Sequence, residues 1–437
     1  MTADRSGRRA RTLERAHVKS FFRVVSTDEA RRQIASLAPV ASEFVSVADA
    51  DGRVLAADLR AREDMPHFDR ANMDGYAVRA RDTFGASASV PAYLDLAGVV
   101  EMGRSARRRL GRGQAVRIST GGMLPPGADA VVMVEYTDEI EGNALETHRS
   151  GRCVEVQRGV APWENVMRAG DDIARGSTVF RSGRRLRARD LGALAGIGVH
   201  RVRVHRRPRV ALVSTGDEIV PPDTRPKPGQ VRNINALSLQ AMIREAGGTV
   251  TDFGVVRDQR DELEAALRRG LDDYDLVILS GGSSVGTKDI ALEVVQSFPR
   301  SEILFHGISV APGKPTILSR ARDKPILGLP GHPQSALLIF EIFGAPLLRR
   351  IGGESAESVF EARRSVRATL TRNVASKPGR EDYVRVALEA AADGFRARPM
   401  AGKSGAVFNL VQADGLVCVP ASAEGLDEGT TVDVRLL

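Results

Sequence analysis

The amino-acid sequence predicts a multidomain α/β protein, with a central, doubly wound and mostly parallel α/β domain flanked by β-rich segments. Buried strand patterns alternate with amphipathic helix patterns between residues 210 and 348, as in βαβ units with right-handed crossovers. Short alternating runs separated by Gly, Pro and Asn-Gly turns occupy residues 90–160 and return after residue 353. With 437 residues, the chain has room for about three domains of ordinary size.

The N-terminal half is predicted to begin with one helix and to continue mainly as strands. Ser-Thr-Asp-Glu is an N-cap signature, and the apolar spacing after it predicts a helix from Ser26 to Leu37. Residues 46–59 combine alternating Val with an Asp-Gly turn, which favours a short strand pair or a strand entering a helix. A connector with two short strand-like pieces leads to a helix over residues 188–195. Further strands are predicted at 93–102, 114–119, 130–136 and 152–157.

The second half contains the clearest α/β pattern and then a return to strands. Strands are predicted at 210–214, 249–256, 275–280, 303–310, 315–319 and 325–329, helices at 236–246, 261–271 and 333–348, and C-terminal strands at 366–370, 382–388, 415–419 and 431–436. The resulting domains are a basic disordered tail at 1–22, an elongated connector domain from 23–62 plus 163–200, an inserted β-rich domain at 63–162, the α/β domain at 201–350 and a C-terminal β domain at 351–437.

The net charge of +8 is weak evidence for a nucleic-acid partner. The first twenty residues hold six basic and two acidic residues, which is half of the excess, and they lack the interleaved aromatic residues of a stacking surface. Cys153 and Cys418 form no CxxC pair, so neither a disulfide framework nor a Cys-based zinc site is indicated. No apolar run approaches the roughly 18 residues of a spanning helix. We therefore expect a cytoplasmic protein that binds neither nucleic acid nor membranes.

Candidate ligand-binding residues follow the predicted parallel strands, where α/β sheets bind their ligands. The first such strand runs through Ser214 into Thr215, Gly216 and Asp217. The segment after residue 280 is read as a loop to residue 289, and its Gly and Ser residues would let backbone N–H groups approach a phosphate. It matches neither the P-loop nor the dinucleotide-binding fingerprint, and an ordinary tight turn is the alternative. The candidate residues of this loop are Gly281, Gly282, Ser283, Ser284 and Gly286.

Two further loops and three carboxylates strengthen the case for an anionic ligand. One loop contains Pro312, Gly313 and Lys314, and Lys is rare in this chain. The other leads into a helix, whose N-terminus attracts anions, and contains Pro330, Gly331, His332 and Pro333. Carboxylates beside phosphate-binding loops often hold Mg²⁺. The sequence therefore predicts a phosphorylated or nucleotide-like ligand together with a hard cation near Asp217, Asp258 and Asp289.

An ordered series of motifs from about residue 24 to the end resembles the MoeA family of molybdopterin molybdenumtransferases, which is related to the E domain of gephyrin. The Met-Asp-Gly-Tyr-Ala segment alone would be only moderately specific, but the complete series is highly specific. The matching motifs are 71–78 (ANMDGYAV), 119–122 (STGG), 125–132 (PPGADAVV), 170–172 (GDD), 214–218 (STGDE), 280–282 (SGG), 284–286 (SVG), 312–315 (PGKP), 328–331 (GLPG) and 402–405 (GKSG).

The resemblance implies an enzyme that inserts molybdate into adenylylated molybdopterin and releases AMP. It implies a homodimer whose cleft combines the α/β molybdopterin-binding domain of one subunit with the β domain of the other, and transient contact with a molybdopterin adenylyltransferase. Matched to this sequence, the family's functional positions are Asp74, Thr120, Asp172, Asp190, Asp217, Asp258, Lys314, Pro330, Pro333 and Ser404.

Our role hypothesis divides these residues between two ends of a substrate. Asp217, with possible help from Asp289, would hold Mg²⁺, and the 281–286 loop would bind the molybdopterin phosphate. Lys314, Ser404 and Arg380 would stabilise oxyanions. Asp74 and Thr120 would act at the molybdate end.

Each role has a simpler alternative. The role of Asp74 could be limited to forming an Asp-Gly turn, Thr120 could cap its turn, and Ser404 could be an ordinary loop serine. Asp172 and Asp190 could pair with nearby Arg residues on the surface.

Three departures from the family pattern leave other functions open. Ala311 replaces a frequent Lys, His332 replaces a frequent Asn, and Asp190 replaces a frequent Glu. Tungstate could then replace molybdate, and the divalent metal is open. The rival functions are a molybdopterin adenylyltransferase, which typically stops at one α/β domain with a Gly-Gly-Thr-Gly loop, and a non-catalytic molybdopterin-binding scaffold.

Overall fold

The computed structural model describes residues 24–141, 152–281, 285–361, 364–400 and 407–437, with only the backbone described for 285–289. The predicted basic tail at 1–22 lies outside these residues. The fold combines a β-rich N-terminal part, a mixed and mostly parallel central sheet, and a C-terminal β barrel, which confirms the predicted fold class.

The β-rich domain is built on a six-stranded sheet with apolar residues packed on both of its faces. Most neighbouring strands are antiparallel, as expected for short alternating runs joined by tight turns. A short helical turn, Val134–Tyr136, replaces the end of the strand predicted at 130–136. In sheet order the strands are Ala130–Met133, Gly75–Val78, Gln114–Ile118, Ala92–Val99, Cys153–Val156 and Thr137–Ile140.

The connector is formed by two small sheets around the helix Ala188–Gly196. The strand Arg201–His205 pairs with Ser42–Ser46 and Val54–Leu55, so it lies in the connector and not in the α/β domain, where the predicted boundary at 201 puts it. Its inward-facing Val202 and Val204 are buried in the connector core, which explains this placement. The second connector sheet pairs Leu59–Arg60 with Thr178–Phe180. A separate pair, Arg70–Ala71 with Val166–Met167, contributes Ala71 and Val166 to the core of the β-rich domain.

The central sheet has six strands and carries an apolar core on each face. All are parallel except Ile317–Ala321, which runs antiparallel to both of its neighbours. Nearly continuous Val, Ile and Leu make these strands readable from sequence, because a parallel sheet is buried on both sides. In sheet order the strands are Thr249–Val256, Arg209–Thr215, Leu276–Gly281, Lys324–Leu329, Ile317–Ala321 and Glu302–His306.

The helices of this domain differ from prediction in two places. A helix, Val285–Ser297, begins inside the segment read as a loop from 281 to 289. The helix predicted at 333–348 instead consists of Pro333–Ile339, a π-helical segment Phe340–Gly344, and Ala345–Ile351. Pro346 explains the change of winding, because it lacks the N–H that a regular α-helix would donate four residues back. The other helices are Ile234–Glu245 and Arg260–Asp273.

The C-terminal domain is a closed barrel. Its five strands pair in a ring, and the short strand Val310–Ala311 of the α/β domain adds to it beside residues 381 and 382. Small additional elements are the strand pairs Val374–Ala375 with Gly425–Leu426 and Ile219–Val220 with Val231–Arg232, and the helix Phe408–Val411. In ring order the strands are Glu381–Ala391, Gly394–Pro399, Ser365–Leu370, Thr431–Leu436 and Gly415–Val419.

The N-terminal helix Thr27–Ala35 packs against the α/β domain, although the predicted boundaries assign it to the connector. Ala30 and Ile34 are fully buried in one of the two cores of the central sheet, so the burial of these apolar residues decides the placement. The Thr27 hydroxyl donates to Glu381 of the barrel at 2.7 Å. The helix therefore ties three parts of the fold together. Among the described helices, none is long and apolar enough to cross a membrane.

Candidate active site

The carboxyl ends of the parallel strands bring the predicted residues of the α/β domain to one edge of the sheet. Ser214 and Thr215 end the strand Arg209–Thr215 and are buried, while Asp217 after them is exposed. Gly281 ends the neighbouring strand, and a Cβ at this position would lie 1.9 Å from the Thr215 carbonyl oxygen. Glycine is therefore required for the two strand ends to approach this closely.

Asp217 and Asp258 are neighbours at this edge, as predicted. The Asp258 amide donates a hydrogen bond to Oδ1 of Asp217 at 3.4 Å. Partial burial raises the pKa of the Asp258 carboxyl, and the negative charges of Asp217 and Glu218 raise it further. The three acidic side chains Asp217, Glu218 and Asp258 thus lie close together, and no positive charge contributes to the pKa of Asp258.

This acidic cluster fits a divalent cation completed by a ligand. The described residues contain no group of three His, Cys, Asp or Glu side chains placed to hold a metal ion on their own. Mg²⁺, however, is commonly held by one or two carboxylates together with phosphate oxygens of a substrate. Asp258 lies next to Asp217, the predicted metal ligand. The other predicted ligand, Asp289, lies in the helix Val285–Ser297, and its side chain is outside the described residues.

A cavity of about 400 Å³, which we call the strand-end cleft, opens at the same edge of the sheet and has Glu218, the neighbour of Asp217, in its wall. It is lined by polar and apolar groups of five segments, and its size and mixture are those expected of a small-molecule site. Gly281, Gly331, His332 and Pro333 are predicted residues in its wall. The complete lining is Glu218, Ile219, Val231, Arg232, Asn233, Ile234, Asn235, Ser280, Gly281, Gly331, His332, Pro333 and Val407.

Two buried asparagines of the cleft were missed by the sequence reasoning. The Asn233 amide donates to the Ser214 hydroxyl at 2.9 Å, and its Oδ1 caps the helix Ile234–Glu245. The Asn235 amide donates to the Ser280 hydroxyl at 3.2 Å and to the Gly331 carbonyl at 2.9 Å. Together they hold three strand-end loops in register. The signal was present, because Asn directly before an apolar helical pattern is a frequent N-cap.

The turn with Pro312, Gly313 and Lys314 follows a short strand that pairs beside Arg380. Ala311 pairs with Asp382 in the parallel ladder between the α/β domain and the barrel. Nη2 of Arg380 donates to the Asp382 carboxylate at 3.0 Å, so its positive charge is already matched. Lys314 is exposed, which leaves its ammonium accessible to an anion.

Asp74 and Thr120 form a second site in the β-rich domain. The Thr120 backbone N–H donates to Oδ1 of Asp74 at 2.6 Å, and the Thr120 hydroxyl donates to the same oxygen at 3.1 Å. These hydrogen bonds, that of the backbone first, lower the pKa of the Asp74 carboxyl. Both residues are exposed, so the pair presents a fixed anion and a hydroxyl to solvent.

Comparison with known families and structures agrees with this architecture. Residues 25–198 match the MoeA N-terminal region (domain I and II), residues 211–350 match the probable molybdopterin binding domain, and residues 367–437 match the MoeA C-terminal region (domain IV). The chain is 31% identical over 416 residues to molybdopterin molybdenumtransferase of Bacillus subtilis, covering 94% of each chain. The chain belongs to the MoeA family.

Further members of the MoeA family give the same result. Molybdopterin molybdenumtransferase 2 of Mycobacterium tuberculosis is 33% identical over 395 residues, covering 89% of this chain and 94% of that protein. A crystal structure of the molybdopterin biosynthesis MoeA protein from Pyrococcus horikoshii is 37% identical, with a TM-score of 0.75 over 94% of this chain and 99% of that chain.

The two acidic positions of the connector differ from each other. Asp190 is 3% exposed, and its carboxylate accepts from Arg184 at 2.8 Å and from the Arg187 amide at 3.0 Å. Burial opposes ionisation of Asp190, but these hydrogen bonds outweigh it and lower the pKa. Asp190 therefore caps the helix Ala188–Gly196 and forms a buried ion pair rather than a surface one. Asp172 is exposed and has no ion pair with any residue that the structure describes.

The remaining predicted residues are only partly described. Gly216 follows the first strand, Gly313 packs in its turn against Ile339, and Pro330 is buried at the end of its strand. Gly286 lies in the first turn of the helix Val285–Ser297, not in a loop. Gly282, Ser283, Ser284 and Ser404 lie outside the described residues, and their roles stay predictions.

Proposed function

We propose that this protein is a molybdopterin molybdenumtransferase that inserts molybdate into adenylylated molybdopterin and releases AMP in a Mg²⁺-dependent reaction. The observation that carries the proposal is the acidic cluster of Asp217, Glu218 and Asp258, of which Glu218 lines the strand-end cleft. It lies in a chain that matches molybdenumtransferases over about nine tenths of their length. The adenylyl link to be broken is a phosphoanhydride, and Mg²⁺ is commonly bound by one or two carboxylates together with the phosphate oxygens of a substrate.

In this reaction Asp217 and Asp258 would hold Mg²⁺, with Asp289 as a further candidate. When bound, Mg²⁺ would neutralise phosphate oxygens and polarise the phosphoanhydride. The exposed ammonium of Lys314 would bind an oxyanion of the same group. The backbone around Gly281, which glycine alone allows to lie so close to Thr215, would receive the molybdopterin phosphate. Arg380 would orient this end of the site through its Asp382 partner.

The Asp74–Thr120 pair would act at the molybdate end. The Asp74 carboxylate would repel the molybdate dianion, and the Thr120 hydroxyl, whose single hydrogen is donated to Asp74 in this structure, would have to turn away from Asp74 to donate to molybdate. Asp74 would therefore position Thr120 and accept hydrogen bonds rather than bind the metal oxyanion directly. This assignment accounts for the two hydrogen bonds that Thr120 makes to one oxygen of Asp74.

We further propose that the active form is a homodimer in which the α/β site of one subunit faces the Asp74–Thr120 site of the other. Mixing two inactive variants tests this arrangement. Asp74→Asn and Asp217→Asn protomers, co-refolded or co-expressed, should regain up to about half of the activity per site, because one cleft of each mixed dimer is intact. Mixed dimers, verified by tagged copurification, that stay inactive would contradict a shared cleft.

The decisive assay combines the purified full chain with adenylylated molybdopterin, molybdate and Mg²⁺. Release of AMP together with cofactor that activates a molybdenum-free apo-enzyme supports the transferase. Formation of adenylylated molybdopterin from molybdopterin and ATP would instead indicate an adenylyltransferase. Binding of the substrate without turnover would indicate a scaffold. A parallel reaction with tungstate identifies the preferred oxyanion, and mixing with a molybdopterin adenylyltransferase tests direct delivery of the substrate.

A further inference from the structure

Arg385 is a buried guanidinium where the C-terminal barrel meets the helix that begins beside the strand-end cleft. Its side chain is 7% exposed. Nη1 donates to Oε1 of Gln334 at 3.0 Å, and Nη2 donates to the Gln334 carbonyl at 2.9 Å, while Nε is buried without a hydrogen-bond partner. Gln334 directly follows His332 and Pro333, which form part of the cleft wall. Both contacts therefore end on the turn that shapes the cleft.

No carboxylate neutralises Arg385 among the residues that the structure describes. Burial alone lowers the pKa of its guanidinium, and no acidic neighbour opposes that shift. Arg349 provides a contrast at a similar depth, because it is 6% exposed but lies 3.8 Å from the Glu354 carboxylate. A buried charge without a counter-charge lowers stability unless something else compensates it. An anionic ligand in the adjoining cleft is such a compensation.

The strand that carries Arg385 is also hydrogen-bonded to a barrel segment that precedes a residue of the cleft lining. The Met400 amide donates to the Arg385 carbonyl at 2.9 Å. Val407, a few residues further along the chain, lines the cleft together with His332. Arg385 is thus placed to hold the turn at residues 331–334 against a barrel segment that faces the same cavity.

We propose that Arg385 is a positioning residue for phosphate-bearing ligands of the strand-end cleft. Its guanidinium holds Gln334, and thereby the turn before it, and places a positive charge without a counter-ion behind the cleft wall at His332 and Pro333. This inference rests on the proposed function, which supplies a substrate and a product with phosphate groups. It adds to the oxyanion contacts predicted for Arg380 and Ser404 a positioning role of the C-terminal barrel, carried by Arg385.

The Gln334→Glu variant distinguishes two roles of Arg385: a charge that acts on the ligand, and a contact that only stabilises the fold. The new carboxylate has nearly the same shape, still accepts from Arg385 and neutralises its charge. A structural contact would be preserved or strengthened. If the free charge acts on the ligand, the Kd of AMP for the full chain, measured by titration calorimetry, should rise about tenfold or more while the thermal unfolding temperature stays equal or increases.

Three matched variants complete the experiment. Gln296→Glu adds the same charge at an exposed position of another helix and should leave AMP binding unchanged. Arg349→Met removes a buried but paired Arg, so it should lower the unfolding temperature and leave the AMP Kd unchanged. Arg385→Lys retains the charge but not the two-point contact, and it should retain more AMP affinity than Gln334→Glu does.

The outcomes are distinguishable from failure of the proposed function. AMP binding by Gln334→Glu equal to that of the unaltered chain would overturn the inference, as would an equal loss in Gln296→Glu or no AMP binding by the unaltered chain. A chain that binds AMP but inserts no molybdate would contradict the proposed function, and the Gln334→Glu comparison would still decide the role of Arg385.

Discussion

The two candidate sites hold carboxylates in opposite electrostatic environments. At the edge of the β-rich sheet, Asp74 accepts two hydrogen bonds from Thr120, and its pKa is lowered. At the edge of the α/β sheet, Asp258 lies beside Asp217 and Glu218, and its pKa is raised. The Asp74 carboxylate already has hydrogen-bond donors in Thr120, whereas the Asp258 carboxylate lies in a cluster with excess negative charge.

This contrast indicates different tasks for the two sites. A carboxylate that is already hydrogen-bonded fixes the position of its donors, in this case the Thr120 hydroxyl. Carboxylates that repel each other at the end of parallel strands become favourable when a cation joins them. The first site should therefore depend on geometry and the second on a metal ion, and the following variants test that difference.

The largest effect is expected from Asp217→Asn. Loss of one carboxylate from the acidic cluster should reduce Mg²⁺-dependent AMP release by roughly 10²–10³-fold, the loss typical of removing a preorganised electrostatic group. The apparent Mg²⁺ requirement, measured by titrating Mg²⁺ in the AMP-release assay, should rise at the same time. Asp223→Asn, at an exposed position of the same segment, serves as the control and should leave both values unchanged. Unaltered Mg²⁺ dependence in Asp217→Asn would contradict the metal role.

Asp74→Asn should be the next most damaging change for transfer, and it should not alter the Mg²⁺ requirement. Asn can still accept the Thr120 hydrogen bonds but lacks the charge, so molybdenum insertion should fall about 10²-fold with little loss of folding. Cofactor formation is measured by activation of an apo-enzyme, and folding by circular dichroism. Thr120→Ser, which retains the hydroxyl, should keep most of the activity. Normal insertion by Asp74→Asn would leave only the turn-forming role for this residue.

The sequence could predict the loops after Arg209–Thr215 and Leu276–Gly281 because these strands are buried runs rich in Val, Ile and Leu, whereas the loop after the more exposed edge strand Thr249–Val256 follows from the α/β alternation. Asp217 and Asp258 were placed together for that reason, and the structure brings them into hydrogen-bonding distance. It could not locate the start of the helix Val285–Ser297, since Gly and Thr, which lie in its first turn, are also typical of loops. Asp190 shows a further limit, because its ion pair is with Arg184 and many nearby Arg residues could equally have supplied that partner.

Contacts between distant segments were beyond the reach of pattern reasoning. Thr27 and Glu381 are joined by a hydrogen bond across almost the whole chain, and Arg385 reaches Gln334 between two domains. Neither pair has a local signature, because a single Arg or Thr on an alternating or helical pattern has many possible neighbours. These contacts nevertheless decide where the N-terminal helix lies and how the cleft wall is held.

The opposite pKa shifts predict opposite effects of pH on stability in metal-free buffer. The folded pKa of Asp258 exceeds its unfolded value of about 3.9, so its favourable contribution is present below that value and is lost as pH rises through the folded pKa. At pH 7, Asp258→Asn should therefore unfold about 1–3 °C above the unaltered chain, and the difference should vanish near pH 4. Scanning calorimetry with a chelator measures this difference, and added Mg²⁺ should stabilise only the unaltered chain.

Asp74→Asn provides the matched comparison in the same calorimetric series. Because the folded pKa of Asp74 is lowered, its favourable contribution is present above the unfolded pKa and is lost as pH falls through the folded pKa. Any change in the unfolding temperature of Asp74→Asn at pH 7 should thus be a decrease, and it should be small because Asp74 is exposed. A decrease in Asp258→Asn at pH 7 would contradict the repulsion that distinguishes the two sites.

The smallest effect on activity is expected from Asp190→Ala, although its effect on stability should be clear. Asp190 accepts from the first amide of its helix and pairs with Arg184, both within the connector, so its loss should lower the unfolding temperature by several degrees. AMP release per folded protein, measured well below that temperature, should stay within about twofold of the unaltered chain. A large loss of AMP release with unchanged unfolding would instead give Asp190 the functional role that the family resemblance implies, and the connector would then join the two carboxylate sites as a third part of the reaction centre.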